Sequence, residues 1–376
     1  EDLGLQARWT TTKRAEGGEI SRLKPRVVIL PYCQALSDKE IEALERFVRD
    51  GGTLLADARP AVYTYNGRPR DVGGLDAVFG IKRTPMKDYT AQGDLVMKAA
   101  LGALAPGQVV TRTIVDKSVS ATTGKPLAEL SGAPAVLVNR HGKGTAILLN
   151  FFVGRYEGLL DAGQADALRA LYRGLLEQAG CKRLIIATTG GQDAPGVELV
   201  RFVNGPVTLL GVAKRALACE KYPMTVNLKL PAASHVYDLR AGSYLGNTDQ
   251  LKAEVGPMGR KAFALVPYKV EGLTLAATPE KEARAGDTLR LAASLKVSGK
   301  PGPHLIRFEG IGPSGPDDIA AFRFWDKVWA SDDAPARAVV DWPLALNEKP
   351  GKWVLRATDV LSGAHAETTI QVRPPR

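Results

Sequence analysis

The sequence predicts an α/β domain with a parallel sheet, followed by two modules built only of strands. Residues 27–30 are four consecutive apolar residues, three of them β-branched, which is typical of a strand buried on both faces. Residues 37–50 have a helical period, and residues 53–57 form a second apolar run. After residue 184, alternating segments separated by turn residues replace the helical period. We therefore expect a strand–helix–strand unit first and β-structure afterwards.

The helix of this unit has recognisable ends. Ser37 and Glu40 have the spacing of a capping box, in which each side chain accepts a hydrogen bond from the other residue's backbone amide. The apolar side chains of one helical face are Ile41, Leu44, Phe47 and Val48. Gly51 and Gly52 then predict the end of the helix. A right-handed crossover makes the two strands parallel, so the turn after Asp57 lies at the carboxyl edge, where open α/β sheets keep their sites.

A family resemblance rests on this stretch and on a later turn. The run from Val27 to about Gly80 contains LPYCQALSDKEIEALERFVRDGGTLLADARPAVYTYNGRPRDVGGLDAVFG, and a glycine turn at residues 140–144 precedes an apolar run at 145–150. Both resemble the glutamine-amidotransferase-like trimerisation domain that follows the catalytic barrel of family 42 glycoside hydrolases, the β-galactosidases. The resemblance implies a flavodoxin-like, class I amidotransferase-like domain over residues 1–184. We expect the first strand and helix of such a sheet to lie upstream of residue 1.

The sequence departs from the enzymatic version of that fold at two positions. A class I amidotransferase carries a nucleophilic cysteine on a strained elbow and a histidine near the end of a later strand. Ala58 stands at the nucleophile position, and the later strand ends at Asn150 without a histidine. The resemblance therefore implies an inactive relative. The candidate pocket at the sheet edge comprises Tyr32, Cys33, Asp57, Ala58, Arg59, Tyr63 and Asn150.

The rest of the chain predicts two β-sandwiches. Residues 185–271 form a small sandwich, because a hairpin surrounds residues 204–206 and residues 237–246 resemble a hairpin of sandwiches appended to glycoside hydrolases. Residues 272–376 resemble an immunoglobulin-like sandwich with Trp353 as a core residue. Trp325 and Trp329 form a candidate aromatic surface for carbohydrate. Two further expectations are an edge strand at residues 7–11 and a strand-poor, interfacial insertion at residues 84–127.

Composition excludes several classes of function. The net charge is +10, but basic residues are spread along the chain without a run of five like charges, so we expect no nucleic-acid partner. Three scattered cysteines and four isolated histidines predict neither a disulfide framework nor a metal site, and no cofactor motif is present. The sequence contains no stretch of eighteen apolar residues, so we expect no membrane insertion. Tandem sandwiches favour an extracytoplasmic location over a cytoplasmic one.

These observations favour a non-catalytic accessory region of a glycoside-hydrolase-like protein. Its role would be oligomerisation and the framing of an active site supplied elsewhere, so its partners are copies of itself or an upstream catalytic domain. The chain lacks the barrel pattern from which two catalytic carboxylates are normally presented. Two alternatives stay open. One is a divergent amidotransferase-like hydrolase using Cys33, Asp57, Arg59 or Tyr63, and the other is a saccharide- or protein-binding surface module.

Overall fold

The structure is a computed structural model that describes residues 2–315, 323–328 and 336–376, and the side chain of Asp326 alone within 323–328. The chain divides into two units. One, the α/β unit, comprises residues 7–183 and 217–221. The other, the all-β unit, comprises residues 2–6, 184–216 and 222–376 within the described ranges. The three-domain division at 184 and 271 stays a prediction.

The α/β unit is built on a seven-stranded mixed sheet. Its helices are α1 (Thr12–Glu16), α2 (Glu19–Leu23), α3 (Asp38–Arg49), α4 (Asp76–Phe79), α5 (Tyr156–Asp161) and α6 (Asp166–Gln178), with a 3₁₀ turn at Val153–Arg155. Its strands are β1 (Val27–Leu30), β2 (Ala35–Leu36), β3 (Thr53–Asp57), β4 (Tyr63–Thr64), β5 (Ile81–Arg83), β6 (Thr90–Met97), β7 (Val109–Asp116), β8 (Val119–Ala121), β9 (Lys125–Leu130), β10 (Ala133–His141) and β11 (Gly144–Leu149). The main sheet has the order β1-β3-β11-β10-β9-β6-β7, and β2 pairs with β4 and β5 with β8.

The predicted strand–helix–strand unit is confirmed. β1 and β3 are parallel, with Val27 opposite Thr53, and β11 is parallel to β3 on its other side. Ser37 and Glu40 form the capping box at the start of α3. The inner face of α3 contributes Leu44 and Val48 to a core shared with β3 and β11. The carboxyl ends of three parallel strands therefore meet at one edge.

The expected burial of β1 on both faces is wrong. In the described part of the chain β1 pairs only with β3, at the end of the sheet, and the side chain of Ile29 is 48% exposed. Of the three parallel strands, β3 and β11 lie in the interior of the sheet, and their side chains are almost all buried. The run of β-branched residues thus predicted a strand correctly, but it did not predict that the strand lies at the end of the sheet.

Two other expectations are wrong in the same unit. Residues 84–127 are rich in strands. β6 and β7 form an antiparallel hairpin that extends the main sheet, and β8 and the start of β9 follow them in the chain. The first half of β6 carries polar or partly exposed side chains on both faces, so its sequence shows no apolar alternation. Residues 7–11 form no strand and run in irregular conformation to the start of α1.

The described residues of the all-β unit form three sheets. Its strands are β12 (Ile186–Thr189), β13 (Gln192–Asp193), β14 (Val197–Asn204), β15 (Val207–Lys214), β16 (Met224–Asp238), β17 (Ser243–Val255), β18 (Arg260–Val266), β19 (Val270–Thr278), β20 (Glu282–Arg284), β21 (Thr288–Val297), β22 (His304–Ile311), β23 (Arg323–Val328), β24 (Arg337–Pro343), β25 (Gly351–Asp359) and β26 (His365–Arg373). The first sheet has the order β13-β12-β16-β18-β15-β14, with β17 beside β16. The others have the orders β19-β21-β24 and β20-β26-β25-β22-β23.

The predicted β-rich character of this part is confirmed. The hairpin around residues 204–206 joins β14 to β15. Trp353 is a core residue as expected, 3% exposed, and its ring meets that of Trp342 edge to face at a centroid distance of 5.8 Å. No helix among the described residues combines the length and the apolar character that crossing a membrane requires.

Candidate functional site

The carboxyl edge of the parallel strands is organised around the carboxylate of Asp57, the last residue of β3. Its side chain is almost completely buried. The backbone amide of Tyr32, after β1, donates to Asp57 Oδ1, and the amide of Val153, after β11, donates to Oδ2 at 3.1 Å. One buried carboxylate therefore joins the loops that follow the two neighbouring strands. Hydrogen bonds from amides to a charged acceptor are among the stronger ones in proteins.

The turn after Asp57 has a left-handed backbone without glycine. Ala58 has φ of +30°, Arg59 of +61° and Ala61 of +55°, and Tyr32 across the edge has +51°. Non-glycine residues rarely adopt this region, and each instance costs of order 1 kcal/mol or more. The Ala58 amide donates to the Leu149 carbonyl at 3.0 Å. The chain thus has a strained elbow directly after β3, and Ala58 places a methyl group on it.

A buried ion network lies beside the elbow. Asp116 Oδ2, at the end of β7, is 3.2 Å from Arg83 Nη1 and 3.4 Å from Arg59 Nε, and Arg83 Nε donates to Asp76 Oδ1 at 3.1 Å. The Arg59 guanidinium also lies 4.8 Å from the centre of the Tyr89 ring. Burial raises the pKa of Asp76, and the positive charge of Arg83 opposes that shift. Asp76, Arg83 and Asp116 were not predicted, because no local spacing relates them.

Two buried polar groups at this edge are incompletely satisfied. Asn150 Nδ2 donates to the carbonyls of Asp116 and Pro134 at 2.8 and 2.9 Å, whereas Asn150 Oδ1 has no hydrogen-bond partner among the described residues. The hydroxyl of Tyr172, on α6, also lacks one there. Burial, with a smaller contribution from the negative charge of Asp57, raises the pKa of Tyr172 well above its ordinary value. The Tyr172 hydroxyl therefore stays protonated at physiological pH.

The remaining predicted residues fall into three groups. Tyr32 is 55% exposed and meets Phe152, 47% exposed, edge to face at 5.0 Å. Burial, followed by the charges of Asp57 and Glu40, raises the pKa of the Cys33 thiol, whose Sγ donates to the Pro31 carbonyl at 3.4 Å. Tyr63 lies in the short ribbon that β4 forms with β2, rather than in the loops joined by Asp57.

The predicted aromatic surface lies mostly beyond what the structure describes. The side chain of Trp325 and all of Trp329 are outside the described residues. Within residues 2–315 and 336–376 and at Asp326, no group of three metal-ligating side chains converges.

One histidine expected to stand alone belongs to a buried network in the all-β unit. His304 Nδ1 lies 2.9 Å from Asp359 Oδ1, and His304 Nε2 lies 2.9 Å from the Tyr268 hydroxyl. The Tyr268 hydroxyl accepts from the Gly302 amide at 2.7 Å, and the Ser362 amide donates to Asp359 Oδ2 at 3.1 Å. Sequence spacing gave no signal of this network because its members are up to 94 residues apart in the chain.

The comparisons with known proteins address the α/β unit most directly. Residues 21–182 match the family described as the β-galactosidase trimerisation domain. The resemblance seen in the sequence is confirmed. This match favours an oligomerisation role for these residues.

Several solved structures are similar over a larger part of the chain. A β-galactosidase from Bacillus circulans sp. alkalophilus has 23% identity, a TM-score of 0.49, and coverage of 65% of this chain and 33% of its own. A family 42 β-galactosidase from G. stearothermophilus has 15% identity, a TM-score of 0.45, and coverage of 67% and 33%. A cold-adapted β-galactosidase from Rahnella sp. R3 has 17% identity, a TM-score of 0.44, and coverage of 64% and 32%. The chain thus spans about a third of the length of these enzymes. No curated protein matches the sequence.

The role of Asp57 is testable by an isosteric change. Asp57→Asn replaces one acceptor oxygen by a donor that faces a backbone amide, so at least one of the two hydrogen bonds is lost. We expect the free energy of unfolding of the α/β unit to fall by about 2–4 kcal/mol in denaturant titrations. The matched control is Asp50→Asn at the exposed end of α3, expected to change it by less than about 0.5 kcal/mol. Equal stability of the two variants would contradict the bridging role.

The neutral Tyr172 hydroxyl predicts a specific pH dependence. Its pKa in the folded protein lies above the unfolded value of 10.0, so above pH 10 the unfolded chain releases a proton that the folded chain retains, and stability falls. Tyr172→Phe removes this loss and leaves no hydrogen bond broken among the described residues. We expect similar unfolding free energies at pH 7 and a shallower decline above pH 10. Tyr65→Phe, at a 65% exposed position, is the control and should follow the wild type throughout. A Tyr172→Phe curve that also follows the wild type would contradict this assignment.

Proposed function

We propose that this chain is a non-catalytic assembly region of a glycoside-hydrolase-like protein, which forms a closed homo-oligomer and frames an active site supplied elsewhere. The observation that carries the proposal is the match of residues 21–182 to the β-galactosidase trimerisation domain. The active site would be contributed by an upstream catalytic domain, and its substrate would be a carbohydrate.

The chemistry of the sheet edge supports a non-catalytic role. The elbow presents Ala58, which has no nucleophilic atom, and both Asp57 oxygens accept backbone amides. Burial keeps the Cys33 thiol protonated at neutral pH, and the thiol form is a poor nucleophile. The hydrolase alternative would need one of these groups to be released from its present role, so we disfavour it.

The exposed aromatic pair supports the framing role. Asp57 fixes the backbone at Tyr32 and Val153, which positions Tyr32 and the adjacent Phe152 at the edge of the sheet. Aromatic rings that stay about half exposed while their backbone is fixed suit contact with an apolar sugar face or with a neighbouring subunit. A stand-alone saccharide-binding module remains the second candidate, and the same pair favours it.

The finer fold assignments belong to this proposal. The order of the parallel strands and the α3 crossover support a flavodoxin-like, class I amidotransferase-like domain over residues 1–184. Two sheets with a shared core that includes Trp342 and Trp353 support an immunoglobulin-like sandwich over residues 272–376. Residues 185–271 would be the small sandwich between them.

Solution mass tests the proposal. We expect multi-angle light scattering to give three times the chain mass of 40.2 kDa, independent of concentration over about two decades. In a rotationally symmetric trimer every interface is used, so no surface is left to add a further copy and the mass stays constant. A monomer at all concentrations would contradict the assembly role of this chain, and a mass that rises continuously with concentration would contradict a closed oligomer.

A further inference from the structure

Three arginines of the α/β unit surround a single carboxylate near the start of that unit. Arg8 precedes α1, Arg14 lies on α1 and Arg22 on α2, and Glu19 is the first residue of α2. We propose that this arginine cluster binds a sulfate or phosphate group. The cluster shares no residue with the carboxyl edge, and the inference does not rest on the assembly role.

Glu19 is the buried carboxylate that Arg8, Arg22 and Thr10 contact. Its side chain is 5% exposed, and Oε1 lies 3.5 Å from Arg8 Nη2 and 3.4 Å from Arg22 Nη2, while the Thr10 hydroxyl donates to Oε2. The hydrogen bond from Thr10, followed by the charges of the arginines, lowers the pKa of Glu19. Glu19 is therefore ionised at neutral pH. One negative charge against three positive charges leaves a local surplus of two.

Among the described residues, Glu19 is the only carboxylate that forms an ion pair with these arginines. Arg14 is close enough to act on Glu19 electrostatically, yet its side chain makes no hydrogen bond or ion pair with any residue that the structure describes. The next carboxylate on α1, Glu16, accepts from the Ser37 hydroxyl at 2.5 Å. Three cations around one carboxylate still repel each other, and a second anion in the concavity would reduce that repulsion.

The cluster lines an open surface concavity of suitable size and donor chemistry. A concavity of about 320 Å³ is lined by the three arginines, Glu19 and Gly17. That volume lies at the small end of ligand sites, which suits a sulfated or phosphorylated small molecule. Each guanidinium has five N–H donors, and Arg8 and Arg22 each direct one nitrogen at Glu19. The remaining donors form the planar, charge-assisted contacts by which arginine recognises oxyanions.

Titration calorimetry on the full chain at low ionic strength tests the proposal. The probes are sodium sulfate and sodium phosphate, and then glucose 6-sulfate and glucose 6-phosphate with glucose as the uncharged comparison. We expect saturable binding of at least one oxyanion, no binding of glucose, and weaker binding as sodium chloride is added. The preference between the sulfated and the phosphorylated sugar identifies the source of the group.

Variants separate a built site from general surface charge. Arg14→Ala should weaken binding at least about tenfold, because it removes a fork of donors that has no other described partner. The matched control is Arg46→Ala on the exposed face of α3, which should bind as the wild type does. Absence of saturable binding, or equal weakening in both variants, would overturn the proposal. A change of oligomeric mass in Arg14→Ala without any oxyanion binding would also overturn it, since the cluster would then serve a protein contact.

Discussion

The buried carboxylate of Asp57 is the interaction on which the carboxyl edge depends. It accepts the amides of Tyr32 and Val153, and these two residues follow the strands on either side of β3. A buried carboxyl group must be satisfied by hydrogen bonds or ion pairs, and here the partners are backbone donors of the loops themselves. The requirement to satisfy this one side chain thus fixes the paths of two loops, and with them the exposed pair of Tyr32 and Phe152.

The turn beyond Asp57 has a left-handed backbone and carries no nucleophilic side chain at Ala58. Left-handed conformations at Ala58 and Arg59 are costly for residues with a Cβ, so the surrounding packing must favour them. Three features supply that packing: the amide of Ala58 bonded to β11, the buried methyl of Ala61, and the ion pair of Arg59 with Asp116. A domain used for assembly needs only that this geometry be rigid. The match to a trimerisation domain agrees with such a use.

The parts of the fold that local signals encode were predictable. The capping box at Ser37 and the hairpin turn near Gly205 are readable from neighbouring residues, and the structure agrees with both. The exposure of Ile29 was not, because an edge strand and an interior strand have the same apolar run. The β6–β7 hairpin was missed because its first residues lack alternation.

Long-range polar clusters were beyond sequence reasoning for a different reason. Asp116 meets Arg59 and Arg83 only once β7 lies beside the elbow, and His304 meets Asp359 only across paired strands. No spacing rule relates such residues, whereas Asp57 was found because the end of a parallel strand is a general location for sites.

Amide hydrogen exchange measures most directly whether Asp57 organises this edge. In the wild type, the amides of Tyr32 and Val153 should exchange slowly although both lie in loops, because each donates to a buried carboxylate. In Asp57→Asn, protection should fall at one or both of these amides while the amides of β3 and β11 keep theirs. Unchanged protection at both positions would contradict the account, since the loops would then be fixed by something other than Asp57.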